Sequence, residues 1–320
     1  MEFAVVIILF IAGIILIVKG GDYFVDAASW MAEVSGIPKL IIGATIVSFA
    51  TTLPEVLVSV MAAVKGKVDM SIGNAIGSVT ANIGLIMAIS IICIPAVIKR
   101  SDYLIKSALM LAAAVLIVIA GSSGEVDLVI SVMLFIICLI FFWENISAAM
   151  QSLKGKQNSR GFDRKQTDRR EIGINIVKFI IGAIGIVWGA DLLVDNGSEL
   201  ARVAGISERV IGVTIIAIGT SLPELITTIT AILKKQSSLS VGNIIGANII
   251  DLTLILPLCS LLSGKPLPIA GTSAMFDLPA CLLVGSVALI PAMVSERFRR
   301  WQGILLMAIY GVYVFITCTM

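Results

Sequence analysis

Long apolar segments recur from one end of this 320-residue chain to the other. A segment needs about 20 apolar residues to cross the hydrocarbon core of a bilayer. Backbone amides in hydrocarbon must be paired within their own segment, so each such segment is predicted to form an α-helix. The chain is therefore predicted to be an all-α polytopic membrane protein with ten transmembrane helices. The ten segments are roughly 3–18, 39–64, 70–97, 104–120, 127–143, 174–196, 207–233, 239–262, 267–294 and 301–319.

Composition excludes several other classes of protein. The chain is 58% hydrophobic and 14% charged, whereas soluble domains are about half apolar and a quarter charged. It contains no histidine, which excludes histidine metal sites, histidine proton relays and the HExxH motif of intramembrane metalloproteases. Its five cysteines form no CxxC pair and lie in or beside apolar segments, which favours packing over redox chemistry.

The distribution of basic residues predicts the orientation of the helices. When the ten segments cross alternately, the 23 Lys and Arg residues divide unevenly between the two sides. The poorer side receives only Lys65, Lys67, Arg202, Arg209 and Lys265. The positive-inside rule assigns the richer side to the cytoplasm. Both termini are then predicted to lie outside, with the basic connector 144–173 in the cytoplasm.

The two halves of the chain repeat each other at a constant offset of 169 residues, without a gap. The aligned segments are IVKGGDYFVDAAS (17–29) with IVWGADLLVDNGS (186–198), IIGATIVSFATTLPE (41–55) with VIGVTIIAIGTSLPE (210–224), and SIGNAIGS (71–78) with SVGNIIGA (240–247).

Each half holds five predicted helices, and because five is odd the second half enters the membrane upside down. The sequence thus predicts two inverted-topology repeats of five helices, residues 1–143 and 174–320, joined by the linker 144–173. This organisation is typical of secondary transporters, whose substrate sites lie near the bilayer midplane between the repeats.

Each repeat carries a proline and a glutamate inside an apolar segment, in TTLPE (51–55) and TSLPE (220–224). A proline in a helix leaves a carbonyl about one turn upstream without its backbone partner. Membrane backbone tolerates this only where hydroxyls, water or a bound ion satisfy the carbonyl. Four hydroxyl groups stand at these points, those of Thr51, Thr52, Thr220 and Ser221.

The glutamates Glu55 and Glu224 have no Lys or Arg within their segments to pair with. An unpaired charge at the bilayer centre costs at least ~2.5 kcal/mol, which weighs against a purely structural role. Protonated glutamates are an alternative, but they give no role to the flanking oxygens. The pairs Gly73-Asn74 and Gly242-Asn243 add amide groups nearby. Together these are hard oxygen ligands, which suit Ca²⁺ and alkali cations, so we predict a cation site.

The repeat is asymmetric at one further position, because Asn82 in the first half corresponds to Asp251 in the second. Three carboxylates are therefore predicted at the site. If all three ionise, one Ca²⁺ leaves a net negative charge, whereas several monovalent ions can neutralise the cluster. Such a site can exchange one divalent ion for several monovalent ions, with the protonation of Asp251 as a variable.

Two more acidic pairs recur across the repeat, Asp22 with Asp191 and Asp26 with Asp195. They stand at the ends of the first and sixth predicted helices. We interpret them as residues of helix-end solvation and packing, in preference to a gating or ion-access role.

The motifs TTLPE with GNAIGSVTAN, and TSLPE with GNIIGANIID, resemble the two alpha-repeats of the cation/calcium antiporter superfamily, specifically its prokaryotic sodium/calcium exchangers. The resemblance covers nearly the whole chain. It implies a ten-helix antiporter that expels Ca²⁺ against inward Na⁺. It also implies that the second, third, seventh and eighth helices form the ion site, while the first and sixth slide as a gating pair.

Carried over position by position, the resemblance implies two sets of ligands. Glu55 and Glu224 are the expected central Ca²⁺ ligands, assisted by Thr51 and Thr220. The expected Na⁺ ligands are Thr52, Ser221, Ser78, Asn82 and Asp251, with carbonyl oxygens near Ser48 and Ala217.

The chain departs from the family pattern at three positions. Ala50 and Thr52 stand where the family usually has Gly and Ser, and Thr52 keeps a hydroxyl while adding a methyl group. Ala247 replaces a serine that supplies a hydroxyl to one sodium site in relatives. This substitution bears on the affinity of that site and on the identity or number of the coupling ions.

The predicted function is antiport of Ca²⁺ and Na⁺ across the plasma membrane of a prokaryote, by alternating access to one midplane site. A Ca²⁺/H⁺ exchanger using the same carboxylates is the alternative, and an ion channel or an intramembrane enzyme are competing classes. We expect no enzymatic activity, no cofactor, no nucleic acid and no obligatory protein partner. Ca²⁺ and Na⁺ are the expected substrates, and membrane lipid is the expected surrounding partner.

Overall fold

The computed structural model describes residues 3–64, 66, 68–94, 100–158, 169–203 and 221–319. Ten helices follow the order of the predicted spans within these residues. They are α1 Phe3–Ser35; α2 Lys39–Ile42, Gly43–Val47 and Ser48–Val64; α3 Val68–Ala81, Asn82–Met87 and Ala88–Cys93; α4 Arg100–Ser123; α5 Leu128–Asn158; α6 Arg169–Val203; α7 Leu222–Leu233; α8 Ser237–Ile250, Asp251–Ile255 and Leu256–Ser263; α9 Ser273–Asp277 and Leu278–Ser295; and α10 Arg300–Thr319. The segments Gly43–Val47, Asn82–Met87, Asp251–Ile255 and Ser273–Asp277 are π-helical.

Nine of the described helices are long and apolar enough to cross a membrane. This confirms the predicted class, a polytopic all-helical membrane protein. The described part of α7, Leu222–Leu233, is shorter, and the remainder of its predicted span lies outside the described residues.

Several helices extend well beyond the predicted edges of their spans. The first span was predicted to end near residue 18, but α1 continues to Ser35. Helix α5 continues to Asn158 and α6 begins at Arg169, so both described ends of the predicted linker are helical. Hydropathy marks where a helix leaves lipid, but polar residues in water can continue the same helix. The helices are therefore longer than the predicted membrane spans.

Two short contacts between connections agree with the predicted alternation of the helices. Strand β1, Glu125–Val126, follows α4 and pairs antiparallel with β2, Leu267–Pro268, which follows α8. At the starts of α2 and α8, the Lys39 Nζ donates a hydrogen bond to the Gln236 Oε1 at 2.7 Å. Each contact joins two connections that alternating spans place on one side of the membrane.

Helices α1 and α6 pack closely along each other, and we call them the peripheral pair. A Cβ atom added to Gly20 lies 2.9 Å from the carbonyl oxygen of Gly182, so the two backbones are nearly in contact. The rings of Phe24 and Phe179 stack with centroids 4.5 Å apart. Near one end of the pair, the Trp30 Nε1 donates a hydrogen bond to Glu171.

Helices α2, α3, α7 and α8 pack against one another, and we call them the core helices. The larger hydrophobic cluster joins α2, α3 and α8 to the outer helices α4, α5, α9 and α10. Within the described part of the chain, that cluster contains no residue of the peripheral pair. The pair instead has a smaller cluster of its own against the core, which includes Phe24, Ile186, Val47, Ala231 and Leu239.

Candidate functional site

Glu55 is held within α2, and its side chain is only 1% exposed. Pro54 lies inside the helical segment Ser48–Val64, which continues through it. The irregular backbone is instead the π-helical segment Gly43–Val47, about two turns upstream. Helix α3 supports this stretch, because the Asn74 amide donates to the Glu55 carbonyl oxygen at 3.4 Å.

Glu224 lies in the first turn of α7 and is also 1% exposed. Ser221 precedes the helix in a non-helical conformation, and Pro223 occupies the first turn, where its missing N–H costs no hydrogen bond. The dipole at this end of a helix favours a carboxylate. The Thr52 hydroxyl lies 3.5 Å from the Glu224 Oε1 and donates to it. A hydroxyl of the first repeat therefore reaches the glutamate of the second.

Thr51 joins α2 to α8 beside the two glutamates. Its hydroxyl lies 3.2 Å from the Ser48 carbonyl oxygen and 3.2 Å from the Asn243 Oδ1. The hydroxyl also lies near Glu224. A hydroxyl has one proton to donate, so these acceptors compete for Thr51, which can also turn a lone pair towards a cation.

Asn82 and Asp251, which correspond across the repeat, each begin a π-helical segment. Both are 1% exposed. Single π-helical turns inside α-helices are frequent at functional sites, because the extra residue displaces the backbone and redirects side chains. A π-helical segment therefore begins at the same point of both repeats.

Several oxygen atoms at the site have no hydrogen-bond partner among the described residues. No described residue provides a hydrogen-bond partner for either carboxylate oxygen of Glu55 or Asp251, or for the Glu224 Oε2. The Asn82 Oδ1 and the hydroxyls of Ser78 and Ser221 are likewise unpaired within the described ranges. A buried polar group without a partner costs about 1–3 kcal/mol, and more when it is charged. A set of acceptor oxygens in this condition fits a cation.

The electrostatics of the site also favour a bound cation. Glu55 lies within electrostatic range of both Glu224 and Asp251, and Asp251 lies within range of Glu224. In the part of the chain that the structure describes, no basic side chain acts on these three carboxylates. No three acidic or cysteine side chains there are close enough to share one metal ion. The three carboxylates therefore lie near one another, and the two glutamates come from opposite repeats.

The described residues that were predicted from the sequence are all buried. Each of these nine side chains is at most 3% exposed; they are Ser48, Thr51, Thr52, Glu55, Ser78, Asn82, Ser221, Glu224 and Asp251. The other two predicted residues, Ala217 and Thr220, lie outside the described residues. Ala247 is fully buried and brings no hydroxyl to the site.

Sequence reasoning identified Asn74 and Asn243 as nearby amide groups but did not assign them to the site. Both residues form hydrogen bonds between helices. The Asn74 amide donates to the Ser59 hydroxyl at 2.9 Å, and the Asn243 Oδ1 accepts a hydrogen bond from the Thr51 hydroxyl. Asn243 is buried and Asn74 is half-buried. Their recurrence in the two GN pairs was the available signal. The spacing alone could not show which neighbouring helix each amide contacts.

The chain is similar to known proteins along nearly its full length. Residues 5–144 and 174–319 match the family model described as "Sodium/calcium exchanger protein". The chain is 31% identical to the sodium/calcium exchanger MaX1 of Methanosarcina acetivorans, covering 96% of this chain and 97% of that protein. It is 35% identical to an uncharacterized membrane protein of Methanocaldococcus jannaschii, over 94% of each chain.

The fold is similar to that of a solved exchanger. A structure of the sodium-calcium exchanger NCX_Mj, soaked with Na⁺ and Sr²⁺, superposes with a TM-score of 0.79 at 29% identity. The match covers 98% of this chain and 99% of that one. With the family match across both halves, this means that the chain belongs to the sodium/calcium exchanger protein family.

Proposed function

We propose that this protein is a secondary active antiporter that exchanges Ca²⁺ for Na⁺ across the plasma membrane of a prokaryote. One observation carries the proposal. Glu55 and Glu224, from opposite repeats, are buried with unpaired oxygens and with no described basic residue acting on them. The names of the relatives, sodium/calcium exchangers among them, support the same pair of ions.

In this proposal Glu55 and Glu224 hold the Ca²⁺ ion between the two repeats. Ca²⁺ takes about six to eight oxygen ligands. Two carboxylates supply at most four, so hydroxyl or carbonyl oxygens of Thr51 and Thr220 complete the shell. The Thr52 hydroxyl, which reaches Glu224, positions that carboxylate in the ion-free protein and is released to bind an ion.

Na⁺ uses overlapping ligands in the same proposal. Asp251 lies close to Glu224 but does not share a three-acid site with the glutamates, so it forms a neighbouring position. We assign neutral ligands to Na⁺ there: Asn82, Ser78, Ser221 and Thr52, which are buried, and carbonyl oxygens at Ser48 and Ala217. Ca²⁺ and Na⁺ then compete, because the two positions adjoin each other and the Thr52 hydroxyl, a Na⁺ ligand in this proposal, also binds the Glu224 carboxylate.

Alternating access follows from the charge of the site. An empty cluster of carboxylates is costly to enclose away from water, so the protein changes the side it faces only when cations neutralise the cluster. The two inverted repeats provide two equivalent ways to open it, one towards each side. The peripheral pair α1 and α6 packs on the core through its own small hydrophobic cluster, which suits it to moving as a unit.

A Ca²⁺/H⁺ exchanger is the second candidate, and one observation favours it. Ala247 is buried and lacks the hydroxyl that a sodium site uses, so Asp251 has fewer neutral ligands with which to hold Na⁺. Asn74 and Asn243 precede Ala75 and Ile244, whereas proton-coupled relatives usually have acidic residues within this motif, and this weighs against the candidate.

Transport in proteoliposomes tests the proposal. Purified protein is reconstituted with Na⁺ inside, pH is clamped on both sides, and entry of radioactive Ca²⁺ is followed as external Na⁺ is removed. We expect Ca²⁺ entry that depends on the outward Na⁺ gradient. Ca²⁺ entry that follows only a pH gradient indicates the proton-coupled alternative. A Ca²⁺ current that persists without Na⁺ or H⁺ gradients indicates a channel.

A further inference from the structure

A groove with a volume of about 220 Å³ lies between α5 and α8. It is lined by one face of α5 from Leu128 to Ile136 and by one face of α8 from Leu254 to Leu261. Helix α5 begins at Leu128 and α8 ends at Ser263, and the predicted alternation of the helices places both of these ends outside. The groove therefore opens towards the outer half of the membrane.

The groove is continuous with the apolar surface that the membrane covers. Both helices are long and apolar enough to cross a membrane, and Leu128, Val132 and Leu261 at the rim of the groove are exposed. A buried water molecule needs two to four polar partners, and only one side chain that lines the groove is polar. Apolar cavities stay dry and take apolar molecules, so hydrocarbon is the occupant that fits.

Ser131 is the polar side chain in the lining of the groove. It is 6% exposed, and its hydroxyl has no hydrogen-bond partner among the described residues. Buried side-chain hydroxyls are normally paired, so this one indicates an acceptor supplied from outside the chain. Ser131 lies one turn from the start of α5, near the edge of the hydrocarbon core. Ester or ether oxygens of glycerolipids lie at this depth, where the hydrocarbon core meets the headgroup region.

The backbone of α8 is irregular beside the groove. Pro257 follows the π-helical segment Asp251–Ile255 and has no N–H to donate. The symmetry-related contact is that of α10 with α3, where a Cβ atom added to Gly303 lies 2.7 Å from the Ala88 carbonyl oxygen. Ala88 corresponds to Pro257 across the repeat. Two backbones therefore meet at the position where α5 and α8 leave a groove.

We propose that this groove binds a membrane glycerolipid of the outer leaflet. One hydrocarbon chain lies between α5 and α8, and an ester or ether oxygen of the lipid accepts a hydrogen bond from the Ser131 hydroxyl. The lining of α5 from Leu128 to Ile136 is about 12 Å long at 1.5 Å per residue. This length takes a segment of one chain and leaves the headgroup outside.

A chain bound in the groove contacts the part of α8 that carries Asp251. Leu254 lines the groove and belongs to the π-helical segment that begins at Asp251. Each pair of atoms brought into contact adds a small dispersion attraction, and together these attractions are large. The lipid therefore stabilises the irregular backbone from which Asp251 projects, and it acts as a ligand of the folded protein.

Thermal unfolding measures this binding without transport. The protein is purified in detergent with chelator and without Na⁺, and is titrated at constant detergent concentration with a diester phosphatidylglycerol or with its diether analogue of equal chain length. We expect both lipids to raise the unfolding temperature in a saturable way, by about 3–6 °C, because they bind the folded protein. A rise that does not saturate reflects bulk lipid and overturns the proposal.

Three variants locate the effect. Val132→Trp places an indole in the groove, and Val129→Trp is its matched control, because Val129 is exposed on the same helix and does not line the groove. We expect Val132→Trp to abolish the saturable rise and Val129→Trp to keep it. In Ser131→Ala, half of the rise should need about 2- to 10-fold more lipid, because one hydrogen bond is lost. A parental lipid response in Val132→Trp, or loss of the response in both Trp variants, overturns the proposal, and an unchanged lipid requirement in Ser131→Ala overturns the role of the hydroxyl.

A second measurement uses the parent protein and does not depend on how the variants fold. A glycerolipid with a photoreactive diazirine on one chain is added at the lipid fraction that gives half of the thermal shift, and the labelled residues are mapped by mass spectrometry. We expect labels on residues 128–136 and 254–261. The exposed residues Trp301 and Ile304 of α10 are the internal control, because α10 and α3 are in backbone contact. Equal labelling of the control overturns the proposal.

A second copy of this chain is the other occupant that the experiments can detect. We expect the lipid-free parent and the Val132→Trp variant to have the same particle mass in detergent. A dimer that Val132→Trp dissociates and Val129→Trp preserves places a second copy in the groove and overturns the proposal. None of these measurements uses Ca²⁺ or Na⁺, so failure of the lipid site leaves the proposed function in place.

Discussion

Glu55 and Glu224 are unfavourable residues in the ion-free protein. Each is buried, each has unpaired carboxylate oxygen within the described residues, and each acts on the other electrostatically. Burial of a charge without a partner is among the costliest arrangements in a protein. A bound cation removes that cost, so ion binding and folding stability should be strongly linked.

The first prediction concerns the charge of Glu55. In Glu55→Gln we expect exchange to be abolished and Ca²⁺ binding to weaken by about 10- to 100-fold, because one charge-assisted ligand is lost. The ion-free protein should unfold at the same temperature as the parent or higher, since an unpaired buried charge has been removed. Thermal unfolding with chelator and with Ca²⁺ measures both effects.

Glu125→Gln is the control for this substitution, because Glu125 is exposed in the connection between α4 and α5. It should keep both the exchange rate and the stabilisation by Ca²⁺. A Glu55→Gln protein that transports at the parental rate removes this residue from the mechanism. The same design applies to Glu224→Gln, with the same expected result.

The second prediction concerns Ala247, whose counterpart in the first repeat is Ser78. In Ala247→Ser we expect half-maximal exchange at a lower Na⁺ concentration, because a hydroxyl is restored beside Asp251. In Ser78→Ala we expect the opposite shift. Na⁺-dependent Ca²⁺ uptake at constant pH measures both, and an unchanged Na⁺ response in Ala247→Ser shows that this position has no part in sodium binding.

At the scale of elements, the site depends on how closely α2 and α8 approach each other. A Cβ atom added to Gly246 lies 2.5 Å from the Ser48 Oγ and 2.6 Å from the Ala44 carbonyl oxygen. Ser48 is itself part of the predicted site, and Gly246 adjoins Ala247. The separation of these two helices therefore sets the distance between ligands of the two repeats.

The third prediction is that Gly246→Ala destabilises the protein by about 1–3 kcal/mol, the usual cost of overpacking a tight interface. It should also weaken Ca²⁺ binding, because α8 is displaced from α2. Gly311→Ala is the matched control, as its added Cβ meets no described atom within 4 Å. The control should be neutral or stabilising by up to about 1 kcal/mol, since Ala favours helix more than Gly. Equal effects of the two substitutions contradict the prediction.

The lengths of the apolar segments predicted which segments are helices but not how those helices are built. The apolar segment of α1 ends near residue 18, yet the helix runs to Ser35. Nothing in the composition of Asn82–Met87 or Asp251–Ile255 distinguishes a π-helical turn from an α-helical one. Whether a helix takes up one extra residue in a π-helical turn depends on the side chains that pack against it from other helices. A single sequence does not record those contacts.

At the scale of the whole molecule, the repeat was the most informative feature of the sequence. A single offset related Glu55 to Glu224 and Asn82 to Asp251, and all four residues are buried in the structure. The contacts between repeats were not predictable in the same way. The bonds from Thr52 to Glu224 and from Thr51 to Asn243 join residues 172 and 192 positions apart, and they depend on how the two repeats are docked.

The last prediction uses the intact protein and follows from competition at one site. Saturation with Ca²⁺ at about 100 times its dissociation constant should stabilise the protein by about 2.7 kcal/mol. If Na⁺ takes the same carboxylates, added Na⁺ raises the apparent dissociation constant of Ca²⁺ obtained from unfolding curves. Because several monovalent ions are needed to replace one divalent ion on the acidic cluster, this constant should rise with a power of the Na⁺ concentration greater than one. K⁺ at the same ionic strength is the control for screening. If the apparent dissociation constant of Ca²⁺ does not change with Na⁺ but rises as the pH falls, protons are the competing ion. If Na⁺ and K⁺ raise the constant equally, the effect is ionic screening and a shared site for Ca²⁺ and Na⁺ is rejected.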